Sequence, residues 1–114
     1  MGTILLIEDN SIIAMDITQI LENNRHRVDI ARNGVEALKN IKQKTYDVII
    51  TSNMPQMTEE ELYREILVLN RDLAKKIIFI STGITKFAKS TGNPILVKPF
   101  NPEQLIETVT NKNF

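Results

Sequence analysis

Acidic, hydroxyl and lysine side chains follow four of the five short apolar runs in this 114-residue sequence. Carboxylates bind Mg²⁺, while lysine and hydroxyl groups contact phosphate oxygens. Brought together, such side chains would form a site for a hard cation and a phosphoryl group. Taken alone, the acidic pair could instead cap the next helix, since Asp and Asn are frequent helix caps. The candidates are Glu8, Asp9 and Asn10 after the first run, Thr51, Ser52 and Asn53 after the third, Ser81 and Thr82 after the fourth, and Lys98 and Pro99 after the fifth.

The apolar runs predict five strands, because each is short and apolar on consecutive residues. Between them, apolar residues recur at the spacing of amphipathic helices. The third strand is predicted to end at Ile50, which leaves Thr51 and Ser52 in a loop. The predicted strands are Ile4–Ile7, Val28–Ala31, Val48–Ile50, Ile77–Ile80 and Ile95–Val97, and helices are predicted from Ser11, after Asn33-Gly34, near Thr58 and from Asn101-Pro102.

This order, βαβαβαβ(α)βα, predicts a three-layer α/β/α fold in which a parallel sheet lies between two layers of helices. The length suits one domain over residues 1–114. Ligands of open parallel sheets bind beyond the carboxyl ends of the strands. The polar candidates are therefore predicted to meet at one edge of the sheet.

Charge and composition exclude several classes of function. Lys plus Arg number 14 and Asp plus Glu number 14, so no positive field attracts nucleic acid directly. No apolar run approaches the ~20 residues that span a bilayer, and no cysteine is present. A cytoplasmic protein without membrane association is expected, and His26 is predicted to be a surface residue.

Several short motifs together resemble the receiver domain of two-component response regulators over essentially the whole chain. The resemblance implies a flavodoxin-like (βα)5 fold with strand order 2-1-3-4-5. The segment between Ser81 and Lys98 is shorter than is usual in that family, which predicts a shortened or missing fourth helix. The motifs are ILLIEDN (4–10), NGVEAL (33–38), YDVII (46–50), NMPQM (53–57), IIFIS (77–81) and LVKPF (96–100).

The resemblance also implies roles for individual residues. An acidic pair binds Mg²⁺ with help from a backbone carbonyl, a switch hydroxyl reaches for the phosphoryl group, a lysine pairs with it, and the following proline has a cis peptide bond. Carried onto this sequence, these are Glu8 and Asp9 for the acids, Asn53 for the carbonyl, Ser81, Lys98 and Pro99.

One departure from the family pattern concerns the phosphoacceptor. Counted back from Met54-Pro55, the acceptor aspartate falls on Thr51, which has no carboxylate. Asp47 cannot replace it, because four residues of strand place it roughly 13 Å away. Mg²⁺ binding is therefore expected to be weak or absent, and Lys98 is expected to form an ion pair with Glu8 or Asp9.

Three interpretations follow. The first is a degenerate, phosphorylation-independent receiver that is not an enzyme and acts as a protein-interaction module, monomeric or weakly dimeric, with a histidine kinase or a downstream effector as partner. The second is a response regulator that uses another acceptor, such as Thr51 or Ser52, or that was deliberately silenced at position 51. The third is a small flavodoxin-like enzyme or flavin binder, disfavoured because no glycine-rich phosphate loop follows the first strand.

Overall fold

Five strands alternate with helices in the computed structural model, which describes residues 2–54 and 56–112. Every predicted strand and helix is present. The short helix between the last two strands has six residues, as the shortened segment predicts. The strands are β1 (Thr3–Ile7), β2 (Arg27–Ala31), β3 (Val48–Ser52), β4 (Ile77–Ser81) and β5 (Ile95–Val97), and the helices are α1 (Ser11–Asn23), α2 (Gly34–Gln43), α3 (Glu59–Leu69), α4 (Arg71–Ala74), α5 (Lys86–Thr91) and α6 (Pro102–Lys112).

The five strands form one parallel sheet in the order β2-β1-β3-β4-β5. This confirms the flavodoxin-like topology and the three layers. The order reverses between β1 and β3, so the two strands that carry the acids and the hydroxyls lie side by side. In this pair Ile7 lies opposite Thr51. A crevice forms at such a reversal, beyond the carboxyl ends of the strands.

Each face of the sheet packs against its own helices. One core cluster contains Leu5, Ile49 and Phe79 with residues of α2, α3, α4 and α5, and we call this side the α2/α3 face. The other contains Leu6 and Ile50 with residues of α1 and α6, and we call it the α1/α6 face. Successive side chains of a strand point to opposite faces, so the two clusters divide each strand residue by residue.

The helix ends are fixed by side-chain caps. Asn10 begins α1 by accepting hydrogen bonds from the N–H groups of Ile12 and Ile13, both at 3.0 Å. Thr58 and Glu61 form a capping box at the start of α3, where a helix start was predicted. Asn70 caps α4, an element that the sequence analysis did not predict. With only four residues, α4 is too short to show a helical periodicity.

Two local predictions were wrong. Thr51 and Ser52 belong to β3 and do not lie in a loop, since Thr51 pairs with Phe79 and Ser52 with Ile80 on β4. His26 is buried and is not a surface residue, and its Nδ1 accepts a hydrogen bond from the N–H of Gly2 at 3.2 Å. In the described parts of the chain, no helix combines the length and the apolar character needed to cross a membrane.

Side chains and backbone also tie the segment around α5 to the sheet. The Asn93 amide donates hydrogen bonds to the carbonyls of Ala74 and Ile77, at 2.8 and 2.9 Å. The N–H of Lys98 donates to the carbonyl of Ser81 at 2.8 Å. Both ends of the segment that contains α5 are therefore fastened.

Candidate functional site

A cleft of about 400 Å³ opens at the carboxyl ends of β1, β3, β4 and β5. It brings together most of the residues that the sequence analysis singled out, from four separate segments of the chain. This is the position expected for a ligand site in an open parallel sheet. The lining residues are Glu8, Asp9, Asn10, Ile13, Ser52, Asn53, Ile80, Ser81, Thr82 and Lys98.

The acidic pair follows β1. Glu8 is buried and its Oε2 accepts a hydrogen bond from the N–H of Asn10 at 3.1 Å, whereas Asp9 is exposed. The cap of α1 is Asn10 itself. Asn10 therefore fills the capping role that the acids could have had, and both Glu8 and Asp9 line the cleft.

The end of β3 supplies hydroxyl groups in place of a carboxylate. Thr51 is only 1% exposed, and its Oγ1 donates a hydrogen bond to the carbonyl of Ser52 at 3.1 Å. Thr51 is not among the residues that line the cleft, whereas Ser52 is. The Ser52 hydroxyl donates to the carbonyl of Ile7 at 3.3 Å, which directs it toward the end of β1.

The ends of β4 and β5 complete the cleft. The Ser81 Oγ accepts a hydrogen bond from the N–H of Gly83 at 3.2 Å. The Lys98-Pro99 peptide bond is cis, as the resemblance implied. Within the part of the chain that the structure describes, no ion pair joins Lys98 to Glu8 or Asp9, so that prediction was wrong. Lys98, a half-buried residue, thus lines the cleft without an ion pair to either acid.

Asp47 lies at the opposite end of β3. Its Oδ2 accepts a hydrogen bond from the N–H of Thr3 at 2.8 Å, so the side chain secures the start of β1. The strand separates it from the cleft, as its sequence position required. The exposed Asn53 lies at the rim of the cleft, directly after β3.

The cleft offers few ligand groups for a divalent cation. Glu8 and Asp9 are the two carboxylates that line the cleft, and Mg²⁺ can be held by one or two carboxylates with water filling its other positions. Among residues 2–54 and 56–112, no group of three or more His, Cys, Asp or Glu side chains is arranged to hold a metal. The two acids and Lys98 give the cleft a formal charge of −1.

Two packing features, at the starts of α2 and α3, were missed by the sequence analysis. Gly34, the first residue of α2, packs so tightly against Met57 that a Cβ would lie 2.4 Å from its Sδ. Glu59 is buried at the start of α3, its Oε2 has no partner among the described residues, and burial raises the pKa of its carboxyl. No periodicity signals either feature, because both depend on how the loop after β3 packs.

Comparison with known proteins agrees with this geometry. The family model described as "Response regulator receiver domain" matches residues 4–110. Among curated proteins, the chain is 29% identical over 114 residues to the probable transcriptional regulator ycf29 of Porphyra purpurea, an alignment that covers 95% of this chain and 54% of that protein. The chain thus spans about half the length of that relative.

Solved structures show the same fold at comparable identity. The chemotaxis response regulator CheY4 of Vibrio cholerae superposes with a TM-score of 0.87 at 31% identity, covering 97% of this chain and 98% of that chain. The response regulator TrrA of Thermotoga maritima, solved in complex with Mg²⁺-BeF, gives a TM-score of 0.87 at 29% identity, covering 97% and 98%. With the sheet order, the strand-end cleft and the family match, these likenesses show that the chain belongs to the response regulator receiver domain family, the signalling modules of two-component systems.

Proposed function

We propose that this chain is a phosphorylation-independent receiver domain that acts in two-component signalling as a protein-interaction module. The observation that supports this proposal is the chemistry at the end of β3. Thr51 and Ser52 occupy the last two positions of the strand, and neither has a carboxylate. Glu8, Asp9, Ser81 and Lys98 line the cleft together with Ser52.

The missing carboxylate removes the step that defines phosphotransfer. An acyl phosphate forms when a carboxylate oxygen attacks phosphorus, and neither threonine nor serine can form one. A hydroxyl is a weak nucleophile unless an adjacent general base activates it. The one histidine of the sequence, His26, is buried beside Gly2 at the start of β1, away from the cleft lining. Thr51, at the acceptor position counted from the sequence, is therefore proposed to be inert.

The remaining site residues are proposed to bind Mg²⁺ and phosphate more weakly than they would beside an acceptor carboxylate. Glu8 and Asp9, with the backbone carbonyl of Asn53, would hold Mg²⁺ weakly, and the ion would offset charge on a bound phosphoryl group. Ser81 and Lys98 would contact phosphate oxygens, with Lys98 followed by the cis Pro99. The Mg²⁺-BeF complex of the Thermotoga maritima relative supports the cation type.

A protein partner is the remaining route for a signal. We propose contact with a histidine kinase or a downstream effector, without direct nucleic-acid or membrane binding. The balance of 14 basic and 14 acidic residues supports the exclusion of nucleic acid. The absence of cysteine suits a reducing cytoplasm. We expect the isolated chain, residues 1–114, to behave as one domain that is monomeric or weakly dimeric.

The test uses the unmodified protein, Mg²⁺ and acetyl phosphate. Intact mass spectrometry should show no added phosphoryl group, whereas a receiver domain with an aspartate acceptor, treated in parallel, should gain one. A gain of one phosphoryl group that hydroxylamine removes would reveal an acyl phosphate and reject the proposal. A gain that resists hydroxylamine would reveal a phosphorylated hydroxyl and reject it as well.

A further inference from the structure

We infer that position 52, and not position 51, is the position on β3 that controls cation and phosphoryl-group binding in the cleft. This inference rests on the proposed function, because it explains which single side chain leaves the site inactive. Counting back along the sequence from Met54-Pro55 selects Thr51. The pairing of β3 in the sheet selects Ser52.

The alternation of side chains along β3 separates the two hydroxyl residues. Val48 and Ile50 belong to the core of the α1/α6 face, and Ile49 belongs to the core of the α2/α3 face. Because side chains alternate along a strand, Ser52 continues the first series and Thr51 the second. The two residues therefore point to opposite sides of the sheet.

Cross-strand neighbours place Thr51 inside the core. It lies between Ile7 on β1 and Phe79 on β4, and both of these belong to the α2/α3 core. With 1% of its surface exposed, Thr51 has the burial of its apolar neighbours. Its hydroxyl is occupied by the carbonyl of Ser52.

Cross-strand neighbours place Ser52 at the cleft. It pairs with Ile80, a residue of the α1/α6 core that also lines the cleft. Ile7 of β1 pairs with Thr51 of β3, and the next residues on the two strands are Glu8 and Ser52. The acid and the hydroxyl are therefore side by side, one residue beyond the last paired residues. The hydrogen bond from Ser52 Oγ to the Ile7 carbonyl brings the side chain toward the acids.

A carboxylate at position 52 would complete a site for a divalent cation. It would add a third acid to the pair formed by Glu8 and Asp9, and would change the formal charge of the cleft from −1 to −2. Oxygen ligands and negative charge are what Mg²⁺ and Mn²⁺ require. A carboxylate at position 51 would instead enter the apolar core, where an ionised group is strongly disfavoured.

The matched pair of variants is S52D and T51D, with S52N as a neutral control of nearly the same shape as S52D. Isothermal titration with Mg²⁺ and with Mn²⁺ should show at least about tenfold tighter binding to S52D than to the wild type, and no gain for S52N. T51D should gain no affinity, and its melting temperature should fall by roughly 10 °C.

Acetyl phosphate with Mg²⁺ provides the second measurement. In S52D, a carboxylate oxygen at position 52 would attack phosphorus, an O–P bond would form, and acetate would leave. Intact mass should then show one phosphoryl group that hydroxylamine removes. Gain of binding or phosphorylation by T51D but not by S52D would overturn the inference. The inference would also be overturned if S52D folds but gains neither binding nor phosphorylation. If T51D does not fold, S52D against S52N still decides. Failure here is distinct from failure of the proposed function, which is measured on the wild type alone.

Discussion

Replacement of Gly34 by alanine tests how tightly the loop after β3 is held against α2. Gly34 is buried as the first helical residue of α2, and Met57 lies across it at the far end of that loop. An added Cβ would lie 2.4 Å from the Met57 Sδ, 3.1 Å from its Cβ and 3.2 Å from its Cε. Rotation of the thioether could relieve the first contact, but the contact with Cβ requires the backbone of the loop to move.

The magnitude follows from two opposing effects. Overpacking of this kind costs about 1–3 kcal/mol. The lower backbone entropy of alanine in the unfolded chain returns about 0.5–1 kcal/mol, because no left-handed φ forbids alanine here. We expect a net loss of about 1–2 kcal/mol, which for a domain of this size lowers the melting temperature by roughly 4–8 °C.

Urea and thermal unfolding of G34A, followed by circular dichroism, measure this loss. G83A is the matched control, since a Cβ at Gly83 meets no atom within 4 Å and its stability should stay within about 0.5 kcal/mol of the wild type. In an M57A background the same Gly34→Ala change should cost less, because the contacts with Sδ and Cε are gone and only the contact with the Cβ of residue 57 remains. Equal stability of G34A and wild type, or an undiminished cost in M57A, would refute the contact.

Three further predictions concern buried polar groups. Glu59→Gln should stabilise the protein at pH values above the ordinary carboxyl pKa. Burial raises the pKa of Glu59, so the wild type loses stability as pH rises through that raised value. Urea unfolding at a series of pH values should show that the gain vanishes in acid. Burial lowers the pKa of His26, so the unfolded chain takes up the proton more readily than the folded protein. The wild type should therefore lose more stability than His26→Gln when pH falls from about 7.5 to about 5.5. Equal losses of stability would contradict this. Asn93→Ala removes two hydrogen bonds to backbone carbonyls and should cost about 2 kcal/mol in denaturant unfolding, whereas Asn93→Asp should recover none of it, since a carboxylate cannot donate.

Much of the fold could be predicted because its signals are local. Consecutive apolar residues located the strands, and the caps at Asn33, Thr58 and Asn101 located helix starts to within a residue. The resemblance to receiver domains supplied the strand order, which the sequence pattern alone left open. The gathering of Glu8 and Lys98 at one edge follows from that order and from the rule for parallel sheets.

What could not be predicted depends on packing between distant segments. Hydroxyl residues after an apolar run suit a loop as well as a strand, so only pairing with β1 and β4 showed that β3 continues to Ser52. His26 accepts a hydrogen bond from the N–H of Gly2, which lies 24 residues away, and no local pattern of the sequence indicates such a contact. The expected ion pair of Lys98 assumed that opposite charges in one cleft must meet, but an exposed acid such as Asp9 gains little from contact with a lysine in water, and the carboxylate of the buried Glu8 accepts from the N–H of Asn10.

The fastening of the segment around α5 has a consequence for how this part of the molecule can vary. The N–H of Phe79 donates to the carbonyl of Pro94, the N–H of Lys98 donates to the carbonyl of Ser81, and the Asn93 amide donates to the carbonyls of Ala74 and Ile77. Hydrogen bonds therefore hold together the points at which the chain leaves β4 and enters β5. Lengthening a loop whose ends are already joined costs little, about 0.6 kcal/mol for each doubling. The chain can therefore be lengthened at the exposed residues Gly83 and Ile84, while Thr82 stays at the cleft and Ala88 stays in the α2/α3 core, which makes this point the natural place to graft a new binding specificity.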